Sequence, residues 1–79
     1  MKAIINVSLK EGILDPQGKA TRHALKTLGF ENLESVRIGK QIVINLNTFD
    51  AREAREQAQK MAEELLVNEV IEEYSIDIQ

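Results

Sequence analysis

In four stretches of the chain, apolar residues recur at every second position, which is the period of a β-strand that buries one face. These stretches are residues 2–10, 35–38, 42–46 and 74–78. The second and third are separated by a short segment that contains Gly39 and Lys40, a spacing typical of a β-hairpin. The pattern therefore predicts four strands, with the middle two joined as a hairpin.

Two stretches between the predicted strands have the period of an amphipathic helix. Asp15 and Pro16 suit the N-cap and first turn of the earlier helix, and Asp50 with Glu53 forms a capping box for the later one. The apolar stripe of the earlier helix consists of Ala20, Ala24 and Leu28. The stripe of the later helix consists of Ala51, Ala54, Ala58, Met61 and Leu65.

The resulting order, β-α-β-β-α-β, predicts an α+β fold in one domain that spans residues 1–79. Right-handed crossovers place both helices on one face of the sheet. The expected architecture is a two-layer sandwich with a ferredoxin-like antiparallel sheet, in which the four predicted strands are ordered 4-1-3-2. Because this fold hosts many activities, function must be argued from particular residues.

The sheet face opposite the helices presents Ile4, Asn6, Val43 and Asn45, a set that is neither strongly polar nor strongly apolar. A domain of 79 residues buries only about 60% of the surface of its unfolded chain, so its core is marginal. Small domains commonly gain stability from a disulfide, a metal or a partner. We therefore expect this face to bury against a second copy, with a solvated sheet as the alternative.

Composition removes several classes of function. Ten basic and thirteen acidic residues give a net charge of −3, which disfavours a non-specific nucleic-acid binder. The absence of cysteine and the single histidine, His23, argue against disulfides, thiolate zinc sites and imidazole metal cages. No apolar run approaches the ~20 residues of a membrane span and no signal peptide opens the chain, so we expect a cytoplasmic protein.

Candidate chemistry is equally sparse. The sequence has no paired carboxylates, nucleophile triad or phosphate-binding loop, so we expect no catalytic, cofactor-binding or metal-binding residue in this chain. Its aromatic residues, Phe30, Phe49 and Tyr74, lie outside the predicted first and third strands, which disfavours RNA stacking on the sheet. A small-ligand regulatory domain of the ACT type remains open, because such sites are built from backbone.

Four segments, taken together and in order, resemble the PurS family. They are residues 7–10 (VSLK), 14–18 (LDPQG), 36–40 (VRIGK) and 65–74 (LLVNEVIEEY). The resemblance implies the small, non-catalytic subunit of phosphoribosylformylglycinamidine synthase in de novo purine biosynthesis. That complex uses ATP, with Mg, and glutamine to convert formylglycinamide ribonucleotide (FGAR) into formylglycinamidine ribonucleotide (FGAM).

The resemblance further implies a homodimer that brings together a large synthetase subunit and a glutaminase subunit, with pairing of dimers into tetramers left open. We expect the docking surface in two of the resembling segments, at Asp15, Pro16, Gln17, Gly18, Arg37, Gly39 and Lys40. For Asp15 and Gly39, however, a helix cap and a hairpin turn are the better explanations. Arg37 and Lys40 have no evident partner in their own chain, so both explanations stay open for them.

Overall fold

The computed structural model describes residues 1–79 and contains three strands and two helices. The strands are β1 (Lys2–Leu9), β2 (Lys40–Asn45) and β3 (Glu72–Ile78), and the helices are α1 (Pro16–Thr27) and α2 (Ala51–Met61). A π-helical turn, Ala62–Leu66, continues α2. Neither helix is long and apolar enough to cross a membrane.

The sheet is antiparallel throughout and has the order β2-β1-β3. Ile5, at its centre, lies opposite Ile42 on one side and Ile76 on the other, so apolar residues of all three strands share the inner face. The α+β class with an antiparallel sheet is confirmed. The three observed strands also have the neighbours that the predicted order assigns to them.

Helix α2 covers the inner face of β1 and β3. It contributes Ala54 and Ala58, which are completely buried, and Ala62 of the π-helical turn is buried beside them. Because alanine has only a methyl side chain, the helix backbone can approach the sheet closely enough to enclose Ile5. The alanine stripe predicted from the sequence is therefore the part of the helix that builds the core.

The π-helical turn changes the phase of this stripe. Val67 donates its N–H to the carbonyl of Ala62, 3.0 Å away and five residues earlier, where an α-helix would reach four. The wider turn leaves Leu65, expected in the buried stripe, 84% exposed, and it brings Leu66 and Val67 toward the core instead. Predicting Leu65 as a core residue was wrong, because the sequence stripe assumed a constant period.

Residues 35–38 do not form the predicted strand, and they make no hairpin with β2. Ile38 donates its N–H to the Asp15 side chain, and Arg37 binds the loop after β1. These contacts hold the segment against the start of α1, so it is not available to pair with β2. The sheet consequently has three strands, and β2 forms one of its edges.

Helix α1 differs from α2 in making little contact with the sheet. Gly18 is its only buried residue, and its expected apolar stripe, including Leu28, is exposed. The chain is elongated as a result: its radius of gyration is 15.9 Å, whereas a compact domain of this length has about 12 Å. The first helix thus extends from the sheet as an arm and does not join α2 over it.

Candidate docking site

The predicted docking residues come together at one end of the sheet, where the loop after β1, the start of α1 and the segment before β2 meet. A cleft of about 460 Å³ lies here, and its lining includes Asp15, Pro16, Gln17, Gly39 and Lys40. Gly18 and Arg37 line a second depression, which shares Asp15 with the first. Two segments separated in the sequence therefore form one local surface.

Asp15 is the residue that joins these segments. It is 6% exposed, and its Oδ1 accepts a 2.8 Å hydrogen bond from the N–H of Gly18 while Oδ2 accepts one of the same length from Ile38. The hydrogen bond from Ile38 and then that from Gly18 lower the pKa of this carboxyl below its ordinary value of 3.8. The carboxylate thus caps α1, as predicted, and its oxygens are already engaged within the chain.

Two glycines permit the close approach of these segments. A Cβ on Gly18 would collide with the carbonyl oxygen of Val36, and a Cβ on Gly39 would lie 2.7 Å from the carbonyl oxygen of Val7. Neither glycine has a positive φ, so neither is required by turn geometry. The hairpin-turn explanation of Gly39 is wrong: glycine is needed there because a side chain would not fit beside β1.

Arg37 and Lys40 do have partners in their own chain, contrary to the expectation from the sequence. Arg37 donates from Nη1 to the carbonyl of Ile13 at 2.9 Å and from Nη2 to that of Lys10 at 3.2 Å. Lys40 Nζ lies 4.0 Å from Oε2 of Glu72, with 56% of the Lys40 side chain exposed. Arg37 therefore holds the loop after β1, whereas the long, exposed ion pair leaves Lys40 free to contact another molecule.

Sequence reasoning missed two basic residues that complete the local structure. Arg22 donates from Nε and Nη2 to the carbonyl of Leu33, at 3.2 and 3.1 Å, and so connects α1 to the segment that follows it. Lys10 donates from Nζ to the carbonyl of Glu69 at 2.6 Å. Neither contact has a local sequence signal, because each acceptor is a backbone carbonyl that only the tertiary fold brings near.

The residues proposed as a dimer surface, Ile4, Asn6, Val43 and Asn45, lie on the sheet face that α2 does not cover. Asn6 and Gln41 are linked there through their side-chain amides, 3.0 Å apart. The face carries Ile4 and Val43 side by side on adjacent strands. That a second copy covers it stays a prediction.

The chemical groups at the site are suited to binding by contact. Each carboxylate oxygen of Asp15 already accepts a hydrogen bond within the chain, and no cysteine is present. Nowhere in residues 1–79 do three or more His, Asp or Glu side chains gather closely enough to hold a metal ion. Among the predicted docking residues, those that place an exposed side chain in the cleft are Pro16, Gln17 and Lys40.

Comparison with known proteins identifies the family. Residues 2–79 match the model of the PurS family, described as phosphoribosylformylglycinamidine (FGAM) synthase. The chain belongs to the PurS family. Its relatives include the PurS subunit of Bacillus subtilis phosphoribosylformylglycinamidine synthase, which is 40% identical over 78 residues that make up 99% of this chain and 92% of the relative. The family expected from the four segments is thereby confirmed.

Solved PurS structures have the same fold along nearly the whole chain. PurS of Methanocaldococcus jannaschii aligns with a TM-score of 0.89 and 35% identity, covering 99% of this chain and 94% of that one. A chain of the PurLQS structure from Thermotoga maritima aligns with a TM-score of 0.87 and 32% identity, covering 96% and 93%. The elongated three-stranded arrangement described above therefore resembles that of solved members of the PurS family.

Proposed function

We propose that this chain is the non-catalytic small subunit of phosphoribosylformylglycinamidine synthase in de novo purine biosynthesis. In this proposal a homodimer bridges the large ATP-dependent synthetase subunit and the glutaminase subunit, and it supports the glutamine-dependent conversion of FGAR to FGAM. The complex uses ATP and Mg, and we expect no cofactor in this chain. We expect the complex to work in the cytoplasm.

One observation carries the proposal: the chain matches, over 96% of its length, a chain of the Thermotoga maritima PurLQS structure. The match includes the arm formed by α1 as well as the sheet, since the coverage leaves room for only a few unmatched residues. In an assembly that contains such a chain, the arm can pack against another subunit. The exposed apolar stripe of α1 supports a role in contacts with other subunits.

The seven docking residues divide into two groups with different roles. The first group builds the surface. The side chains of Asp15 and Arg37 hydrogen-bond between the two segments, and Gly18 and Gly39 leave room for the segments to approach each other. Pro16, Gln17 and Lys40 form its exposed rim. We therefore expect the rim residues to contact the large subunit and the other four to act by keeping that rim in shape.

The rim can be tested with the variant Gln17→Ala/Lys40→Ala. Both side chains are exposed, so the variant should fold normally while its affinity for the large subunit falls about tenfold, or about 1.4 kcal/mol. FGAM formation is measured in a complex reconstituted from the three subunits, with the small subunit limiting. Glutamine-dependent turnover should drop, and an excess of the variant should restore it.

Arg52→Ala is the matched control, because Arg52 is an exposed residue of α2 whose only ion pair is with Glu56. It should leave turnover unchanged. Ammonia-dependent turnover by the large subunit is measured in parallel. It should be unchanged if the rim variant impairs only bridging, and it should fall if the enzyme itself is inactivated. If the rim variant matched the control at limiting concentration, Gln17 and Lys40 would not belong to the docking surface.

The ACT-like alternative can be tested on the isolated chain. A cleft of about 460 Å³ is within the range of small-molecule sites, so the cleft could accommodate a regulatory ligand. A ligand that binds only the folded state raises the unfolding temperature, and the rise grows with the logarithm of the ligand concentration above Kd. A thermal-shift screen against amino acids and purine nucleotides that gave no shift would remove this alternative.

A further inference from the structure

The hydrogen bonding of β1 toward β2 stops one residue before β1 ends. Even-numbered residues of β1 direct their backbone groups to β3, and odd-numbered residues direct theirs to β2. Val7 is the last odd-numbered residue with a partner there, Lys40. The next pair would join Leu9 to Ile38, but Ile38 donates its N–H to the carboxylate of Asp15. The backbone N–H and C=O of Leu9 therefore have no partner in the chain.

This gap in the hydrogen bonding opens into the cleft at the base of the arm. Leu9 and Ile38 both line the cleft, beside the docking residues described above. In an antiparallel pair, one residue exchanges an N–H and a C=O with the residue opposite, so a single residue of extended peptide can satisfy both free groups of Leu9. Proteins bind extended peptides in this way where a strand lacks a neighbour. The group that fits the gap is therefore extended backbone.

The charges in the cleft indicate a side chain that the extended segment should carry. Lys40 is the only cationic residue that lines the cleft, and its one polar contact is the 4.0 Å ion pair with Oε2 of Glu72. Oε1 of Glu72 accepts a 2.8 Å hydrogen bond from the N–H of Asn68, so this carboxylate also holds the turn before β3. Lys40 is consequently the group that can change partner, and the partner it suits is a carboxylate.

We propose that the cleft binds an extended segment of the large synthetase subunit, whose backbone pairs with Leu9 and which places a carboxylate against Lys40. The inference rests on the proposed function and specifies how the docking surface recognises its partner. It gives Leu9 a binding role that its apolar side chain does not suggest, because the groups that bind are those of its backbone.

Hydrogen exchange at the Leu9 amide tests the backbone pairing without any substitution. Isotope-labelled small subunit is exchanged alone and in complex with the unlabelled large subunit, then quenched and analysed by NMR, one amide at a time. The Leu9 N–H should exchange at least about tenfold more slowly in the complex. Ile76 is the control, because its N–H points outward from β3 at the opposite edge of the sheet. Its exchange rate should not change.

Glu72→Gln tests the carboxylate through the sign of its effect. Glutamine keeps an oxygen that can accept from Asn68, but it no longer holds Lys40. The large subunit should therefore bind about twofold to threefold more tightly, whereas Lys40→Ala should weaken binding about fivefold. Glu73→Gln is the matched control: it removes the same charge from the neighbouring exposed residue, outside the cleft, and should have little effect.

Equal exchange of the Leu9 amide in the free chain and the complex would overturn the backbone pairing. Weaker binding of Glu72→Gln would overturn the carboxylate at Lys40. Protection of Leu9 by the amino acids or nucleotides of the thermal-shift screen, without the large subunit, would assign the cleft to a small ligand and would also overturn the proposal. A failure of the proposed function differs from all three, because the parent chain would then not bind the large subunit and its omission would leave glutamine-dependent turnover unchanged.

Discussion

At the scale of single residues, Asp15 determines where α1 begins and what the arm is attached to. One of its oxygens caps the helix and the other accepts from Ile38, 23 positions later in the chain. Gly18 allows Val36 to approach the same turn, because any side chain at that position would collide with its carbonyl. The segment before β2 pairs with no strand. The contacts of Asp15, Gly18 and Arg37 hold it in place instead.

Replacing Asp15 by Asn should lower the unfolding temperature at neutral pH. The amide oxygen of Asn can still cap α1, but its NH₂ cannot accept the hydrogen bond from Ile38. Asp50→Asn at the cap of α2 is the control and should cost less, because Asp50 accepts only from its own helix and Asn caps about as well as Asp.

The same variant should change the pH dependence of stability. Because the pKa of Asp15 is lower in the folded chain than its ordinary 3.8, the folded state binds fewer protons. The stabilisation is therefore present above pH 3.8 and is lost as the pH falls through the lowered pKa. Thermal unfolding should show a larger difference between the parent chain and Asp15→Asn at pH 7 than at pH 3. A difference that grew on acidification would contradict this account.

Gly18→Ala should destabilise the chain, although the same change in a helix usually stabilises it. Alanine at an unstrained helical position gains roughly 0.5–1 kcal/mol. Here the added Cβ must push Val36 away, and overpacking of this kind costs roughly 1–3 kcal/mol. We expect the free energy of unfolding, measured in urea, to fall by about 1–2 kcal/mol, whereas Lys19→Ala, on the exposed surface of the same turn, should have little effect.

At the scale of elements, the two helices have different roles although both were expected to cover the sheet. Helix α2 buries a stripe of alanines on β1 and β3, whereas α1 is held at its first turn and otherwise exposed. An isolated helix of twelve residues is marginal in water. We infer that α1 depends on contacts with other subunits for much of its stability.

Ala58→Leu tests whether the alanine stripe sets the distance between α2 and the sheet. Ala58 is completely buried, so the larger side chain has to displace the helix, at a cost of roughly 1–3 kcal/mol. Ala51→Leu adds the same atoms at an exposed position of α2 and should change the free energy of unfolding by less than about 0.5 kcal/mol. Equal effects in urea denaturation would mean that the stripe is not closely packed.

At the scale of the whole molecule, the chain is an elongated body that leaves much of its apolar surface uncovered. Leu14, Leu28 and Phe30 on or near the arm are each more than half exposed, and so is Leu65 at the end of α2. The arm and the cleft at its base are therefore available for contact with the larger subunits, and the rim variant described above tests the cleft.

The sequence by itself determined the features that depend on residues a few positions apart. These are the period of β1, β2 and β3, the caps at Asp15 and Asp50, and the alanine stripe of α2. The four resembling segments also identified the family correctly. Each of these signals is local, because strand period, helix period and capping depend on residues that are close together in the sequence.

Only the tertiary structure decided where the backbone of residues 35–38 finds its partners. Their pattern suits a strand, but Asp15 offers Ile38 an acceptor from a distant part of the chain and Arg37 binds the loop after β1. The same is true of α1, whose apolar stripe gives no indication of which surface will cover it. A hydrophobic period specifies which face is buried, whereas the partner of that face depends on long-range contacts that no local pattern encodes.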